Sequence, residues 1–388
     1  MSTNLMVAAC HHHSRISSEM DENCHQNDQV LEPGVKIKPD VDLKLAHQIA
    51  QKFYDIEVLD VVELNSYDDR NFLIKARLNQ NDHQFCNQFH NSNGIHEFTL
   101  KITNSLDSNY GDLIEAIDQM IVYVNKANIA QVPYPVNSIN GALEFRERLQ
   151  PEQLNAIRLL RYVPGNILKG YPFTEKLAFQ AGQLAARLDA VLETFHSPTL
   201  ANRQFIWSLL SAPKLDKFIF AVKDPAMHSL AQNVLLEFAV KIVPIIPKLR
   251  SQIIHGDLNE QNLLVQEISG EPQITGIIDF NDAHRAPVIF DLAILCAYMA
   301  LESKSISPVR LPKYIIEGYK SVKVITDEEM KILPICVMTR LAQSLVLGAY
   351  SHLNEPNNEY LLSTSQRGWQ VLEMLYQHGP DQLLSYWK

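Results

Sequence analysis

The chain has 388 residues, of which 46% are hydrophobic and 20% are charged. This length is sufficient for two lobes that each bury a hydrophobic core. The formal net charge of −10 argues against a nucleic-acid binder, which would present a basic face, and is compatible with a cationic small substrate. We therefore expect small-molecule partners and no nucleic-acid partner.

The five cysteines are scattered, odd in number and form no Cys-x-x-Cys pair, which is typical of a reducing compartment. No apolar run approaches the ~18 residues that a membrane span requires. The amino terminus lacks a cationic segment followed by a hydrophobic one. These features predict a cytoplasmic protein with no membrane partner.

Residues 1–38 are polar, with little periodicity, and we expect a disordered extension there. His11, His12 and His13 lie in it with Cys10 and Cys24, a composition that invites a metal-site interpretation. Because no fixed scaffold is predicted around these side chains, we do not expect a physiological metal site.

Residues 39–160 predict a lobe built on an antiparallel sheet. Apolar spacing indicates helices over 41–54 and 111–127, and a polar stretch over 79–94 indicates a surface loop. Five strands are expected over 58–64, 71–78, 96–103, 141–149 and 155–161. The pattern therefore predicts a five-stranded sheet with one long helix inserted after the third strand.

Pro164-Gly165 ends this region, so residues 161–165 are interpreted as a hinge. From 166 to 388 the pattern is almost entirely helical, and a long amphipathic helix is expected over 174–195. Further helices are expected at about 213–222, 227–249, 287–303, 309–320, 326–352 and 359–376. The predicted fold class is α+β with two lobes, one mostly sheet and one mostly helix.

The most informative motif is His255-x-Asp257-x-x-x-x-Asn262. Transfer of a γ-phosphoryl group needs a base that orients the attacking hydroxyl and oxygen ligands for Mg²⁺, and this spacing presents both from one loop. Asp257 suits the base, whereas Asn262 and Asp279 suit the metal. A predicted hairpin over 263–278 would bring Asp279 beside Asn262. The alternative is that Asp257 and Asn259 merely cap turns.

Two neighbours of this motif have simpler structural interpretations. We expect His255 to be half-buried and to hold the loop through hydrogen bonds, because it follows two isoleucines. Asp291 could cap the helix that it opens, or its carboxylate could hydrogen-bond back to the catalytic loop.

A nucleotide needs contacts to its phosphates and to its base. Lys101 lies on the third predicted strand, and an ion pair with Glu115 of the next helix could direct its ammonium group to the α- and β-phosphates. Asp118 is the alternative partner, and Lys101 could also be an ordinary strand lysine. Backbone groups near Leu160 and Tyr162 could pair with the purine edge.

These residues resemble the aminoglycoside phosphotransferase and choline kinase superfamily, whose fold is protein-kinase-like. The similarity covers about residue 40 to the carboxyl end. Within that superfamily, several distinctive stretches resemble the hydroxylysine kinases. They are residues 65–72, 112–115, 204–207, 302–305 and 343–346.

The resemblance implies phosphorylation of the side-chain hydroxyl of 5-hydroxy-L-lysine with GTP as the donor, or ATP, and Mg²⁺ as the cofactor. It implies that Asp257 is the base, that Asn262 and Asp279 hold Mg²⁺, and that Lys101 meets the phosphates. A related kinase for another amino alcohol (homoserine, choline or an aminoglycoside) and a non-catalytic nucleotide-binding module are the alternatives.

The chain departs from the wider kinase pattern in two places. The loop between the first two strands lacks the glycines that let backbone N–H groups approach phosphates. It carries Asp68 and Asp69, which we expect either to turn outward or to help recruit cations. Asn281 stands where a glycine usually follows Asp-Phe, a mild change because Asn tolerates left-handed backbone conformations.

Hydroxylysine carries two ammonium groups and one carboxylate, so its site needs acids and a cation. Asp282, Glu302 and Lys304 are candidates by their position in the chain, although each type is usually a surface charge.

Overall fold

The structure, a computed structural model, describes residues 36–78, 94–151, 153–354 and 365–388. Residues 1–35 of the predicted extension, with its histidines and cysteines, and most of the predicted loop over 79–94 lie outside these residues. Residues up to Arg161 form a lobe based on an antiparallel sheet, and the rest is mainly helical, as predicted.

The large sheet has six strands rather than the predicted five. Its order is β1-β2-β3-β6-β4, with β5 pairing β6 outside this path. The additional strand is β4, two residues that pair with Leu160 and Leu159 and are too few to show a periodicity. The strands are β1 Ile56–Leu64, β2 Arg70–Leu78, β3 Ile95–Ile102, β4 Pro135–Val136, β5 Phe145–Gln150 and β6 Gln153–Arg161.

The helices of this lobe bury different cores. Helix α1 (Leu43–Phe53) begins at Asp42, whose side chain accepts a hydrogen bond from the Leu45 amide, and it packs on the core under the sheet. A short helix, α2 (Ser105–Ser108), follows β3 and was not predicted. Helix α3 (Leu113–Ala127) buries its apolar stripe in the same core as the helical lobe. The inserted helix therefore joins the two lobes.

The helical lobe differs from the prediction where prolines interrupt it. The helix expected over 213–222 is two 3₁₀ segments, because Pro213 lacks the N–H that an α-helix needs. The helix expected to reach 249 ends at Lys241, ahead of Pro244 and Pro247. The helices are α4 Glu175–Leu192, α5 Pro198–Asn202, α6 Pro225–Lys241, α7 Ile289–Glu302, α8 Leu311–Lys320, α9 Asp327–Asn354 and α10 Ser365–Trp387.

Two small sheets lie in the helical lobe. One has the order β10-β9-β7 and contains the predicted hairpin, and the other pairs β11 with β8. Ser269 and Gly270 form the two-residue turn of the hairpin, both with positive φ, as tight hairpins require. The strands are β7 Asn166–Ile167, β8 Ser251–Ile254, β9 Leu263–Ile268, β10 Glu271–Ile277 and β11 His284–Pro287.

By length and mean hydropathy alone, two helical segments could span a membrane, contrary to the expectation that none is apolar enough. They cover Pro225–Lys248 and Asp327–Leu353, and 28% and 83% of their most apolar windows are buried. Buried core helices of globular proteins pass the same test, so these segments are weak support for a membrane location.

Candidate active site

The loop between β8 and β9 is fixed by a buried acid of α7. Both oxygens of Asp291 accept hydrogen bonds of 2.8 Å, one from the His255 amide and one from the Gly256 amide. Of the two roles predicted for Asp291, the contact with the loop is the one observed. Burial raises the pKa of Asp291, and the His255 ring and these amides partly offset this effect.

His255 and Gly256 shape the same loop. His255 is fully buried rather than half-buried, and its Nε2 lies 3.2 Å from the Ile278 carbonyl oxygen. It therefore holds the loop, as predicted. Gly256 has φ +82°, and a Cβ there would lie 2.2 Å from the Asp282 carbonyl oxygen. Only glycine fits this position without displacing backbone.

Asp257 is held by three side chains. Its Oδ1 accepts a 2.8 Å hydrogen bond from Arg340, and its Oδ2 accepts bonds from Asn259 at 2.8 Å and Asn262 at 2.9 Å. The Asp257 side chain is still 24% exposed, whereas that of Arg340 is 1% exposed. The carboxylate is thus oriented and remains accessible to a ligand hydroxyl.

Asn262 and Asp279 are brought together by the hairpin. The Ile278 amide donates a 2.9 Å hydrogen bond to the Asn262 carbonyl oxygen. Asp279 directly follows Ile278, so this bond places Asp279 beside Asn262. Asn262 donates to Asp257 from its Nδ2, so the Oδ1 of Asn262 points away from Asp257. Asp279 is 41% exposed.

An amide oxygen and a carboxylate form a donor set that fits Mg²⁺, which is often bound by one or two protein oxygens together with phosphate and water. No cluster of three His, Cys, Asp or Glu side chains with metal-site geometry occurs in the described parts of the chain. The residues present therefore fit a cation shared with a nucleotide.

Lys101 lies on β3 between two acids, and neither is the expected partner. Its Nζ is 2.9 Å from Asp279 Oδ1 and 3.2 Å from Asp69 Oδ2. Glu115 lies on the solvent-facing side of α3. Its side chain is exposed and accepts a hydrogen bond from Gln119. The predicted ion pair between Lys101 and Glu115 is therefore not formed.

The alternative partner, Asp118, is fully buried and pairs with Arg158 at 2.7 Å. Burial would lower the pKa of Lys101, but the carboxylates of Asp279 and Asp69 more than offset this, and the pKa is raised. Lys101 lowers the pKa of Asp279 against the opposing effect of burial. Both groups are thus charged at neutral pH.

Both departures from the kinase pattern have a structural explanation. Asp69 turns inward and is 7% exposed, so the expectation of an outward side chain is wrong for this residue. Asn281 donates to Asp69 Oδ2 at 2.8 Å and accepts from Arg158 at 3.0 Å. A glycine at 281 could make neither side-chain contact.

Of the two residues expected at the purine edge, Leu160 lies in β6 and Tyr162 directly follows that strand. Leu160 pairs with Thr99 of β3 and with Pro135 of β4. The Tyr162 amide donates to the Glu97 carbonyl oxygen at 3.1 Å. The Tyr162 N–H is therefore engaged within the protein, because backbone hydrogen bonding to β3 continues one residue beyond the end of β6.

Arg340 of α9 was not predicted. Besides Asp257, its guanidinium group contacts the Trp207 carbonyl oxygen at 2.6 Å and Gln343 at 3.1 Å. Burial would lower the pKa of Arg340, but Tyr298 and Asp257 reverse this effect, and the pKa is raised. The sequence did contain an indication that Arg340 is buried, because it is the single charged residue in the mostly apolar run 335–342.

Two acids lie beside Asp257, of which Asp282 is half-buried and Glu260 is buried. Burial, followed by the proximity of Asp257, raises the pKa of Asp282 to about 8. Burial, followed by the proximity of Glu302, raises the pKa of Glu260 to about 8. The surroundings of Asp257 therefore disfavour additional negative charge.

The other two substrate-binding candidates from the sequence differ in exposure. Glu302 is half-buried and pairs with Lys169 at 3.0 Å. Lys304 is exposed. Because Glu302 already has a cationic partner, Asp282 is the better candidate for contact with a substrate ammonium group.

Comparison with known proteins places this site in a family. Residues 88–354 match the model of the phosphotransferase enzyme family. Hydroxylysine kinase of Xenopus laevis is 35% identical over 90% of this chain and 94% of its own length. Hydroxylysine kinase of Bos taurus is 30% identical over 90% of this chain and 93% of its own length.

Solved structures show the same fold at low identity. An amicoumacin kinase has a TM-score of 0.64 at 16% identity and covers 88% of this chain and 95% of its own. An aminopropanol kinase has a TM-score of 0.61 at 16% identity and covers 89% and 100%. The predicted kinase-like fold is confirmed. The chain is a phosphotransferase that acts on an alcohol group, and it belongs to the hydroxylysine kinase family within the phosphotransferase enzyme family.

Proposed function

We propose that this protein transfers the γ-phosphoryl group of GTP to the side-chain hydroxyl of 5-hydroxy-L-lysine in the cytoplasm. The observation that carries the proposal is the convergence of Lys101, Asp257, Asn262 and Asp279 on one site in a chain that is 35% identical to a hydroxylysine kinase. GTP as the donor follows from the sequence resemblance.

Asp257 acts as the base. The acceptor hydroxyl oxygen attacks the γ-phosphorus, the bond from that phosphorus to the β–γ bridging oxygen breaks, and the hydroxyl proton passes to Asp257. Arg340, Asn259 and Asn262 fix the carboxylate before the substrate arrives. Pre-set geometry of this kind lowers the entropic cost of reaching the transition state.

Asn262 and Asp279 would hold Mg²⁺, which neutralises charge on the phosphate oxygens. Lys101 places a second positive charge at the same point, between Asp279 and Asp69. Its ammonium group contacts the α- and β-phosphates of the donor.

The acids beside Asp257 support an acceptor that carries amino groups. Glu260 is 1% exposed, and its Oε2 has no hydrogen-bond partner among the residues that the structure describes. A buried polar atom of this kind is costly unless a ligand satisfies it. An ammonium group near Glu260 and Asp282 would also relieve the repulsion between neighbouring carboxylates.

The test is release of GDP or ADP by the purified protein with Mg²⁺, using 5-hydroxylysine, homoserine, choline and an aminoglycoside as acceptors. Asp257→Asn is the control. Hydroxylysine-dependent release that favours GTP is the expected result. Release with another acceptor alone would show a related kinase that acts on that amino alcohol. Nucleotide binding without turnover would favour a non-catalytic nucleotide-binding module.

A further inference from the structure

Lys101 is a buried cation that needs a fixed anionic partner. Its residue is 5% exposed, and a buried charge is stable only when paired and hydrogen-bonded. Of its two acids, Asp279 is also the proposed metal ligand and is 41% exposed. A carboxylate that is also shared with a metal ion binds Lys101 less firmly than one that is fixed by protein hydrogen bonds alone.

Asp69 is the better-fixed acid. Its Oδ1 accepts bonds from the backbone amide of Asn104 at 2.9 Å and from the side chain of the same residue at 3.0 Å. Its Oδ2 accepts a bond from Asn281 at 2.8 Å and lies 3.2 Å from Lys101. Four donors thus face the carboxylate, and ionised Asp has about four acceptor positions.

This saturation assigns Asp69 to positioning rather than to metal binding. The side chain reaches Lys101 from the loop between β1 and β2, where the wider family places glycines. That loop is anchored at Asp69 and at Ser66 ahead of it: Ser66 Oγ donates to the Asp69 carbonyl oxygen at 2.6 Å, and Lys38 donates to the Ser66 carbonyl oxygen at 2.8 Å.

We propose that Asp69 is the residue that positions Lys101 against the donor phosphates, in place of an acid from helix α3. Asn104 and Asn281 fix the Asp69 carboxylate. The inference rests on the proposed nucleotide-dependent function and concerns the donor half of the site. It is therefore tested without any acceptor.

The experiment measures binding of GDP, GTP and guanosine, each with Mg²⁺, to wild-type protein and Asp69→Asn by calorimetry. We expect the affinity for GDP and GTP to fall about tenfold or more, the loss typical of a removed hydrogen bond to a charged group. Guanosine affinity stays at the wild-type value, because Lys101 contacts phosphates and not the base. General damage to the fold would weaken all three ligands.

Two further variants serve as comparators. Asp60→Asn makes the same chemical change at an exposed residue of β1 and leaves binding unchanged. Glu115→Gln tests the competing acid of α3. Wild-type binding by Asp69→Asn, or an equal loss in Glu115→Gln, would overturn the inference.

A double-mutant cycle of Asp69 and Lys101 tests most directly whether the two residues act together on GDP affinity. On a Lys101→Met background, Asp69→Asn causes no further loss of GDP affinity, because the positioned group is already gone. If Asp69→Asn fails to fold, Asn281→Ala removes one of the bonds to Asp69 and weakens GDP but not guanosine. Additive losses, or equal losses for both ligands, would contradict positioning. A wild-type protein that binds no nucleotide would instead reject the proposed function.

Discussion

Among the residues that the structure describes, a buried arginine pairs with an aspartate inside each lobe, and the two pairs differ in the exposure of the acid. In the sheet lobe, Arg158 and Asp118 lie 2.7 Å apart, and their side chains are 1% and 0% exposed. In the helical lobe, Arg340 and Asp257 lie 2.8 Å apart, and their side chains are 1% and 24% exposed. The arginines are equally enclosed, so the two pairs differ in whether a ligand can reach the aspartate.

We call Arg158–Asp118 the sealed pair and Arg340–Asp257 the open pair. The sealed pair has a structural role. Asp118 Oδ2 has no hydrogen-bond partner among the residues described by the structure. Burial raises the pKa of Asp118, and Arg158 opposes this effect. In the open pair the arginine fixes a carboxylate that can still accept a proton from a ligand. A buried ion pair is therefore not in itself a sign of a catalytic site, whereas the partly exposed Asp257 fits the proposed role of the base.

Breaking the open pair at its acid should have the largest effect. Asp257→Asn keeps the shape of the side chain but removes the base, so we expect kcat to fall about 10²- to 10⁴-fold. Nucleotide affinity should stay close to wild type, because the base acts on the acceptor. Steady-state kinetics and nucleotide titration measure the two quantities. Normal turnover by the variant would remove Asp257 from the mechanism.

Breaking the sealed pair should affect stability instead. Asp118→Ala leaves the Arg158 guanidinium group without its buried partner, a change that typically costs about 3–5 kcal/mol in the free energy of unfolding. The kcat measured well below the melting temperature should remain close to wild type. Chemical denaturation provides the comparison, with Asp60→Ala as an exposed control. Lost turnover at unchanged stability would place Asp118 in the active site.

The smallest expected effect is on the pH dependence of stability, and it comes from Asp282 beside the Arg340–Asp257 pair. Burial and the proximity of Asp257 raise the pKa of Asp282 to about 8, so the folded state binds this proton more tightly than the unfolded state does. Its contribution to stability is complete below the unfolded pKa and is lost as the pH rises through about 8.

Urea denaturation between pH 6 and pH 9 measures this trend. The fall in stability should be shallower in Asp282→Asn, which cannot ionise at that position. An identical slope in the wild type and the variant would show that Asp282 does not titrate in this range.

The sequence predicted the parts of the site that are close together in the chain. Four residues separate Asp257 from Asn262, and a two-residue turn returns β10 beside β9. In such short segments, spacing and turn chemistry determine the geometry. The sheet lobe was predictable for the same reason, because its strands alternate and follow one another.

The remainder depends on contacts between distant segments. Arg340 and Asp257 are 83 residues apart, and Asn281 and Asp69 are 212 residues apart. The Glu115 prediction failed because helix periodicity gives the spacing of residues on α3, but not which side of the helix faces Lys101. The strand pairing of Leu160 and the Tyr162 amide contact were not predicted, because pairing with β3 and β4 depends on how the sheet assembles.

Asn281 has a consequence for how the protein can be controlled. Kinases that carry a glycine after the metal-binding acid can swing that segment and withdraw the acid. Here the same swing would break the bonds of Asn281 to Asp69 and Arg158, leaving buried charges less well satisfied. The acid is thus carried on a locked segment. Any rotation of Asp279 out of the site is therefore opposed by the loss of both hydrogen bonds.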